Sequence, residues 1–565
     1  MVHSRLWAGL FLSCAVLACA CAPAPAQPRP GPAPKKANQA RLDWWRAARF
    51  GMFIHWGPVS LEGTEIGWSR GNQIPIDVYD NLYKRFNPVK FNADAWVKLA
   101  KAAGMKYIVF TTKHHDGFCM FDTQQTDYNI MNSPFGRDVV KELAEACRAN
   151  GLQFGTYYSV CDWHHPDFPL GSPGGTTRKP FPDIDAYEQY LRAQVRELIQ
   201  NYGPLLVLWF DVAQEFDAKR GQGVVDYVRS LQPDILINNR CANPGDYDTP
   251  EQTVGTFQMS RPWESCITIC NQWAWKPGDS MKSLKECLQT LVRCAGGDGN
   301  LLFNVGPMPS GEIEPRQAER LREMGAWLRK YGRSVYGTRG GPYKPGAWGC
   351  STRKGDTIYL HVFDWGSGEL DLPPLGRKIV GSSVLTGGSA TVRQTADSLT
   401  VSVPAAYRRP IDTVVALRIE GDARGIPPIS AVSSLTSGKR ATASNVYQGD
   451  PAFAADKAVD DEEGTRWATD GGTHSAWLEV DLGQPTRVGS VRILQEAVYA
   501  DRIRRFELQA KDGEEWRTLL SGTTMPADYR HEFTPVTARY VRLVIQEATE
   551  GPTINEFQLF APGKR

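Results

Sequence analysis

The chain carries almost no surplus of either charge: 64 Lys+Arg stand against 62 Asp+Glu in 565 residues, a formal net charge of +2. Without a basic face to neutralise phosphates, nucleic acid is excluded as the main partner. Long apolar runs are missing too, and the main one, Leu6 to Ala18, is too short to span a bilayer comfortably. Cysteine is sparse: nine of the 12 lie beyond residue 21, an odd number without regular spacing, which gives neither a disulfide framework nor a zinc pattern. Cys266 and Cys270 are a candidate pair, to which no function is assigned. No Gly-x-Gly-x-x-Gly turn follows the first strand, which argues against a dinucleotide site. Neither His-x-x-x-His nor His-x-x-Glu occurs, which argues against metal catalysis.

What the chain does have begins with a targeting segment. Arg5 precedes the apolar stretch, and Val16-Leu17-Ala18-Cys19 resembles a bacterial lipoprotein signal whose Cys becomes the lipidated first residue. The alternative is cleavage at small residues near Ala24 to Ala26, which releases a soluble protein. Either way an exported protein is expected: periplasmic, outer-membrane lipoprotein or extracellular. Residues 1–21 are assigned to the signal, and Pro/Ala-rich residues 22–40 to a stiff tether.

From 41 to 336, apolar runs alternate with helical patterns. Residues 50–56, 107–115, 154–159, 205–211, 235–240 and 300–306 read as strands; 92–104, 138–151, 185–203, about 224–231 and 283–296 read as helices. Asn92 is a plausible N-cap and Gly104 a stop. This alternation predicts an α/β domain, a (β/α)8-like barrel. Residues 337–421 then predict a small antiparallel β-sandwich, and 430–562 an all-β jelly-roll module.

The strand ends carry the chemistry. LLVLWFD (205–211) is six apolar residues closed by one carboxylate, Asp211. His55-Trp56, His114-His115-Asp116, Tyr158, Arg240 and Asn304 stand where other apolar runs stop. In a barrel these ends share one rim, so residues remote in sequence converge on one pocket. Any one of them alone is as well explained as a capping or loop residue. The 17 Trp and 10% aromatic content suit sugar faces, although core packing must account for most. Paired carboxylates facing a sugar ring give glycoside hydrolysis, one attacking the anomeric carbon and one protonating the leaving oxygen. Asp211 is the better nucleophile because a strand fixes it. Glu251 in DTPEQ and Glu264 in RPWESC are acid/base candidates on loops. A metal-dependent hydrolase using His114-His115-Asp116 and His164-His165 is the rival, weakened because adjacent strand residues point to opposite faces.

FGMFIHWG, TKHHDGF, LVLWFD and PWESC...NQW together resemble the α-L-fucosidases of glycoside hydrolase family 29, over roughly residues 40–420. The resemblance implies a retaining mechanism through a covalent fucosyl-enzyme on Asp211, with no cofactor. His55, His114, His115, Tyr158, Trp209 and Arg240 match positions that in the family hold fucose hydroxyls or pack on the sugar. Trp273 matches an aromatic near its methyl group. Glu251 matches the favoured acid/base position, Glu264 is the alternative, and Glu65 in GTEIGWSRG is a third carboxylate within reach. Two departures bear on linkage: Val212 follows Asp211 where the family commonly has Gly, and WAW (273–275) replaces Trp-Gly-Tyr. The GTEIGWSRG loop and the appended module look more like the branch favouring α-1,3/1,4-linked fucose. Two rivals remain: a catalytically silent lectin on the same scaffold, and a barrel glycosidase for another deoxy sugar.

ATASN, AADKAVDDEEGTRWAT, WLEVDLG, ARYVRLVI and NEFQLF resemble the discoidin-like modules of coagulation factors, a group that includes family 32 carbohydrate-binding modules. The resemblance implies glycan binding and a structural Ca²⁺, with Asp460, Thr465 and Glu556 as oxygen donors. Against that, Asp460 and Thr465 also suit a simple turn. The implied partners are fucosylated oligosaccharides or glycoconjugates.

Overall fold

The structure is a computed structural model and describes residues 35–562 except 174–176, 367, 432–433, 463 and 496–498. The signal and the tether up to residue 34 therefore lie outside the described residues. The tether's expected end is corrected: Lys35–Ala48 form helix α1. Proline stops at Pro34, and the following Lys, Ala, Gln, Arg and Leu favour helix. Arg41 ties α1 to Leu205 O and Asp234, and Trp45 is buried with the inner faces of the strands.

Strands β1 (Phe50–Ile54), β2 (Tyr107–Lys113), β3 (Gln153–Ser159), β4 (Val207–Asp211), β5 (Leu236–Ile237), β6 (Glu264–Thr268) and β7 (Asn300–Val305) form one parallel sheet in the order β5-β4-β3-β2-β1-β7-β6. Between them run α2 (Ile76–Tyr79), α3 (Ala93–Ala103), α4 (Val139–Asn150), α5 (Ile184–Tyr202), α6 (Ala218–Leu231) and α7 (Leu284–Gly296), and α8 (Pro315–Tyr331) closes the ring. Asn92 caps α3 by accepting from Ala95 N, and Gly104 stops it at φ 89°. Ser283 and Glu286 form a reciprocal capping box on α7. Helix α6 starts at Ala218, earlier than its apolar period suggests, because Asp217 caps it.

The sheet separates two apolar layers. Inside lie Phe53, Val109, Tyr157, Trp209, Cys266 and Leu302; outside, Ile108, Phe110, Tyr158, Leu208 and Phe210 pack under the helices. Residues 247–251 occupy the seam between β5 and β6 through single parallel bridges, Asn238 to Tyr247, Asp248 to Trp263 and Glu251 to Cys266. The cylinder is thus (β/α)8-like, with an irregular segment in the eighth position.

Beyond it, β8 (Arg339–Gly340), β9 (Gly349–Lys354), β10 (Thr357–Val362), β11 (Leu370–Leu372), β12 (Ile379–Val384), β13 (Thr391–Gln394), β14 (Leu399–Ser402) and β15 (Thr413–Ile419) make two antiparallel sheets, β12-β15-β10-β9-β8 and β11-β14-β13, around Leu360, Leu399, Val401 and Leu417. The last unit holds β16 (Arg440–Ala443), β17 (Trp467–Ala468), β18 (Ala476–Leu494), β19 (Ile503–Asp512), β20 (Glu515–Gly522), β21 (Asp528–Ala548), β22 (Thr553–Ile554) and β23 (Glu556–Phe560). It is antiparallel, ordered β16-β18-β21-β19-β20 with β23 paired to β18, and packs around Trp467, Leu478, Phe506 and Leu543. No described helix is long and apolar enough to cross a membrane. All nine described cysteines are buried free thiols, so the suggested Cys266–Cys270 bond is absent: Cys266 points into the barrel, away from the loop that holds Cys270.

Candidate active site

Asp211 closes β4 at the barrel rim, and every near neighbour of its carboxylate comes from a different strand end or from the next residue. Tyr157 donates its hydroxyl to Oδ2 at 2.8 Å, Arg240 Nη1 reaches Oδ1 at 3.0 Å, and Val212 N donates to Oδ1 at 3.0 Å. His115 Nε2 stands 3.7 Å from Oδ2. Val212 holds φ 46°, an uncommon conformation for a β-branched residue, and this backbone turn brings its N–H onto the carboxylate.

The same Arg240 Nη1 also donates to Glu251 Oε2 at 2.7 Å. Two carboxylate oxygens on one nitrogen lie no more than about 6 Å apart, near the ~5–5.5 Å of a retaining pair. Glu251 sits on the seam segment, with its side chain 41% exposed toward the pocket mouth. Burial opposes the Arg240 charge, but Asp211 and Glu251 more than offset it and raise its pKa.

His55, His114 and His115 gather around this centre. His55 Nδ1 pairs with Asn304 Oδ1 at 2.7 Å, and its ring lies 4.8 Å from that of Trp273. His115 Nδ1 pairs with Ser159 Oγ at 2.6 Å. Burial pushes His55 down to about 3, His115 to about 4 and His114 well below its ordinary value, so all three are neutral near pH 7. The expectation that His114 and His115 face opposite ways is corrected. Both lie beyond the end of β2, where strand alternation no longer applies, and their rings are 4.0 Å apart. Trp209 stacks on Tyr157 at 5.5 Å and 21°, and Arg240 lies 5.0 Å over its ring.

Three expectations change. Tyr158 is not in the pocket: it faces the helices, donates to Gln194 Oε1 at 2.8 Å and is fully buried, while Tyr157 takes the inward position. Glu264 is not on a loop at the rim. It opens β6 at the opposite end of the barrel, is fully buried, and accepts from the Tyr107 hydroxyl, so it cannot reach a sugar held at Asp211. Glu65 accepts from the backbone N–H groups of Ile66, Trp273 and Ala274, at 3.1, 2.8 and 3.0 Å. Its carboxylate therefore fastens its own loop to the Trp273 wall. Tyr157 is the residue that sequence reasoning passed over; its pairing with Trp209 across β3 and β4 puts it on the Asp211 face, but that register is visible only in the sheet.

In the last module, Thr465 Oγ1 lies within 3.1 Å of four oxygens: both Asp460 carboxylate oxygens at 2.9 Å, Lys457 O at 3.1 Å and Glu462 O at 3.0 Å. Protein donors share these oxygens: Glu462 N donates to Asp460 Oδ1 at 3.1 Å, Thr465 N to Glu462 O at 2.9 Å, and Lys457 Nζ stands 3.8 Å from Asp460 Oδ2, the pattern of a closed turn. Glu556 is buried at the start of β23. Among the described residues no three His, Cys, Asp or Glu side chains gather into a metal-binding group, so a cation would rest mainly on hydroxyl and backbone oxygens.

The alpha-L-fucosidase family model matches residues 17–333. The chain belongs to the alpha-L-fucosidase family, and is a glycoside hydrolase. A second model, the F5/8 type C domain, matches residues 440–557. The human plasma alpha-L-fucosidase is 30% identical over 368 residues, covering 58% of this chain and 78% of that protein. Among solved structures, alpha-L-fucosidase isoenzyme 1 from Paenibacillus thiaminolyticus is 38% identical at a TM-score of 0.63, covering 68% of this chain and 100% of that one. A Bacteroides thetaiotaomicron GH29 alpha-L-fucosidase, solved as a trapped covalent intermediate with 2-fluoro-fucosyl fluoride, is 27% identical at a TM-score of 0.61, covering 68% and 96%.

Proposed function

We propose that the enzyme is a retaining, exo-acting α-L-fucosidase with Asp211 as nucleophile and Glu251 as acid/base. The observation that supports the reading is the shared Arg240 nitrogen, which keeps an oxygen of each carboxylate within about 6 Å of the other, compatible with a retaining pair. Asp211 attacks the anomeric carbon while Glu251 gives its proton to the leaving oxygen. Glu251 then takes a proton from water, whose oxygen displaces Asp211 and restores the starting enzyme. Tyr157 and Arg240 keep the Asp211 oxygens aimed. Neutral His55, His114 and His115 supply ring nitrogens to sugar hydroxyls, and Trp273 offers an apolar wall to a deoxy carbon. The Bacteroides relative's trapped covalent intermediate supports the two-step route.

A preference for α-1,3/1,4-linked fucose on branched glycans follows from the GTEIGWSRG loop. Its Trp68 is 42% exposed, 5.5 Å from the His115 ring, where the rest of a branched glycan would stack. The C-terminal module serves as a glycan-binding aid that raises local substrate concentration, with a cation at Asp460 and Thr465 shaping its loop. Export as a lipoprotein or secreted enzyme completes the reading.

The deciding experiment is hydrolysis of an aryl α-L-fucoside by wild type, Asp211→Ala and Glu251→Ala, with and without azide. Azide attacks the fucosyl-enzyme without needing proton removal. Rescue of Glu251→Ala with α-fucosyl azide as product is expected, because azide displaces Asp211 from the β-linked fucosyl-enzyme with a second inversion; failure of rescue, or a β-configured product, overturns the assignment.

A further inference from the structure

Glu264 stands below the reacting carboxylates with no part in these steps. Its Oε2 accepts from the Tyr107 hydroxyl. The indole N–H groups of Trp45 and Trp209 both face the carboxyl, in neither case as a well-aligned bond. Among the described residues, neither indole nitrogen has another partner, and Glu264 Oε1 has none beyond them. Trp209 is also the ring on which Tyr157 stacks, at 5.5 Å, and over which Arg240 lies, at 5.0 Å. Those two side chains fix Asp211 Oδ2 and Oδ1.

We propose that Glu264 is a positioning residue of the fucosidase reaction: it holds the Trp209 indole in place, and through that ring sets Tyr157 and Arg240 on Asp211. The inference rests on Asp211 as nucleophile and Glu251 as acid/base. Folding alone gives little reason for a carboxyl here, because an apolar side chain of similar size avoids the loss of its hydration. Burial lifts the Glu264 carboxyl to about 7, with Tyr107 and the two indoles opposing the rise. Both protonation states keep an oxygen facing the indole, so the hold does not depend on charge. A Trp209 ring freed by even an ångström would carry both Asp211 partners with it, and misplacement on that scale costs up to ~10²-fold in rate.

The test compares Glu264→Gln, Glu264→Leu, Trp209→Phe and the Glu264→Leu/Trp209→Phe double variant on an aryl α-L-fucoside and on α-L-fucosyl fluoride. Gln retains an acceptor oxygen and is expected to keep kcat within about threefold of wild type. Leu and Phe are each expected to lower kcat by about 10- to 100-fold with KM little changed, and the double variant no further than the worse single one. The expected pH profile of Glu264→Leu keeps both limbs and loses height. Wild-type kcat in Glu264→Leu, or losses that multiply in the double variant, overturn the proposal. So does azide rescue of Glu264→Leu with α-fucosyl azide, since Glu264 would then be the acid/base itself. Should Glu264→Leu fail to fold, Trp209→Phe decides alone: unchanged kcat sinks the proposal, and a lowered kcat with unchanged KM supports it. Azide rescue of Glu251→Ala judges the underlying mechanism separately.

Discussion

Tyr157 donates its hydroxyl to Asp211 Oδ2 at 2.8 Å, whereas its neighbour Tyr158 donates at the same distance to Gln194 on α5, on the far side of the sheet. Two adjacent tyrosines on one strand thus serve different layers: one aims a carboxylate, the other ties a helix. Tyr157→Phe is expected to lower kcat/KM by roughly 10- to 1000-fold while leaving thermal stability nearly unchanged. Tyr158→Phe should do the reverse, costing about 1 kcal/mol of stability with kcat/KM intact. Steady-state kinetics and thermal melts of the pair separate the two roles, and equal kinetic damage would refute the assignment.

Val212 occupies φ 46° beside the nucleophile, a conformation that costs a β-branched residue on the order of 1–3 kcal/mol. Glycine removes that strain but adds about 1 kcal/mol of chain entropy in the unfolded state. Val212→Gly should therefore melt at or slightly above wild type. A large drop in melting temperature would show that the Val212 side chain contributes more through packing than its backbone loses.

The buried histidines link stability to pH. His55 and His115 fall from 6.5 to about 3 and about 4, burial being the leading cause, so the folded state binds their protons less readily than the unfolded chain. The stability they contribute is fully present above pH 6.5 and is lost as pH falls toward 4, at ~1.4 kcal/mol per pH unit for each ring. Melts between pH 7.5 and 4.5 should show this decline, and His115→Gln should flatten it. An equally steep slope in the variant would count against His115 as a source.

Trp68 is expected to act on the leaving group and not on the fucose ring, because its exposed ring lies beyond His115. Trp68→Ala should lower kcat/KM for a branched α-1,3/1,4-fucosylated trisaccharide by about tenfold, the scale of one lost aromatic stacking contact. Fucosyl fluoride, which has no sugar leaving group, should be turned over as before. Equal losses on both substrates would move Trp68 into the fucose pocket.

The oxygens gathered around Thr465 give a metal prediction that does not involve activity. Millimolar Ca²⁺ should raise the melting temperature of the protein and chelator should reverse the gain, by RT ln(1 + [L]/Kd), about 2.7 kcal/mol at a hundredfold excess over Kd. Asp460→Ala should abolish the response. A calcium response that survives in Asp460→Ala would place the cation elsewhere.

By itself the sequence determined the α/β cylinder and its two β-rich companions, because apolar runs and amphipathic helices report burial locally. Asn92, Gly104 and Ser283 mark helix ends wherever the chain folds. It also determined Asp211, whose carboxylate ends a buried strand, and the cluster of His55, His114, His115 and Arg240 at the other strand ends. Only the tertiary structure decided which neighbour faces inward. A strand alternates sides with a period of two, so Tyr157 and Tyr158 look equivalent until the sheet's register sets one against Trp209. The same holds for Glu251 and Glu264: one lies on the irregular seam at the rim and the other opens a regular strand at the floor, a separation along the barrel axis that sequence spacing does not encode. Closing the sheet into a cylinder makes that choice, because closure assigns each carboxylate either to the open mouth, where a sugar can enter, or to the sealed end, where only other side chains can meet it.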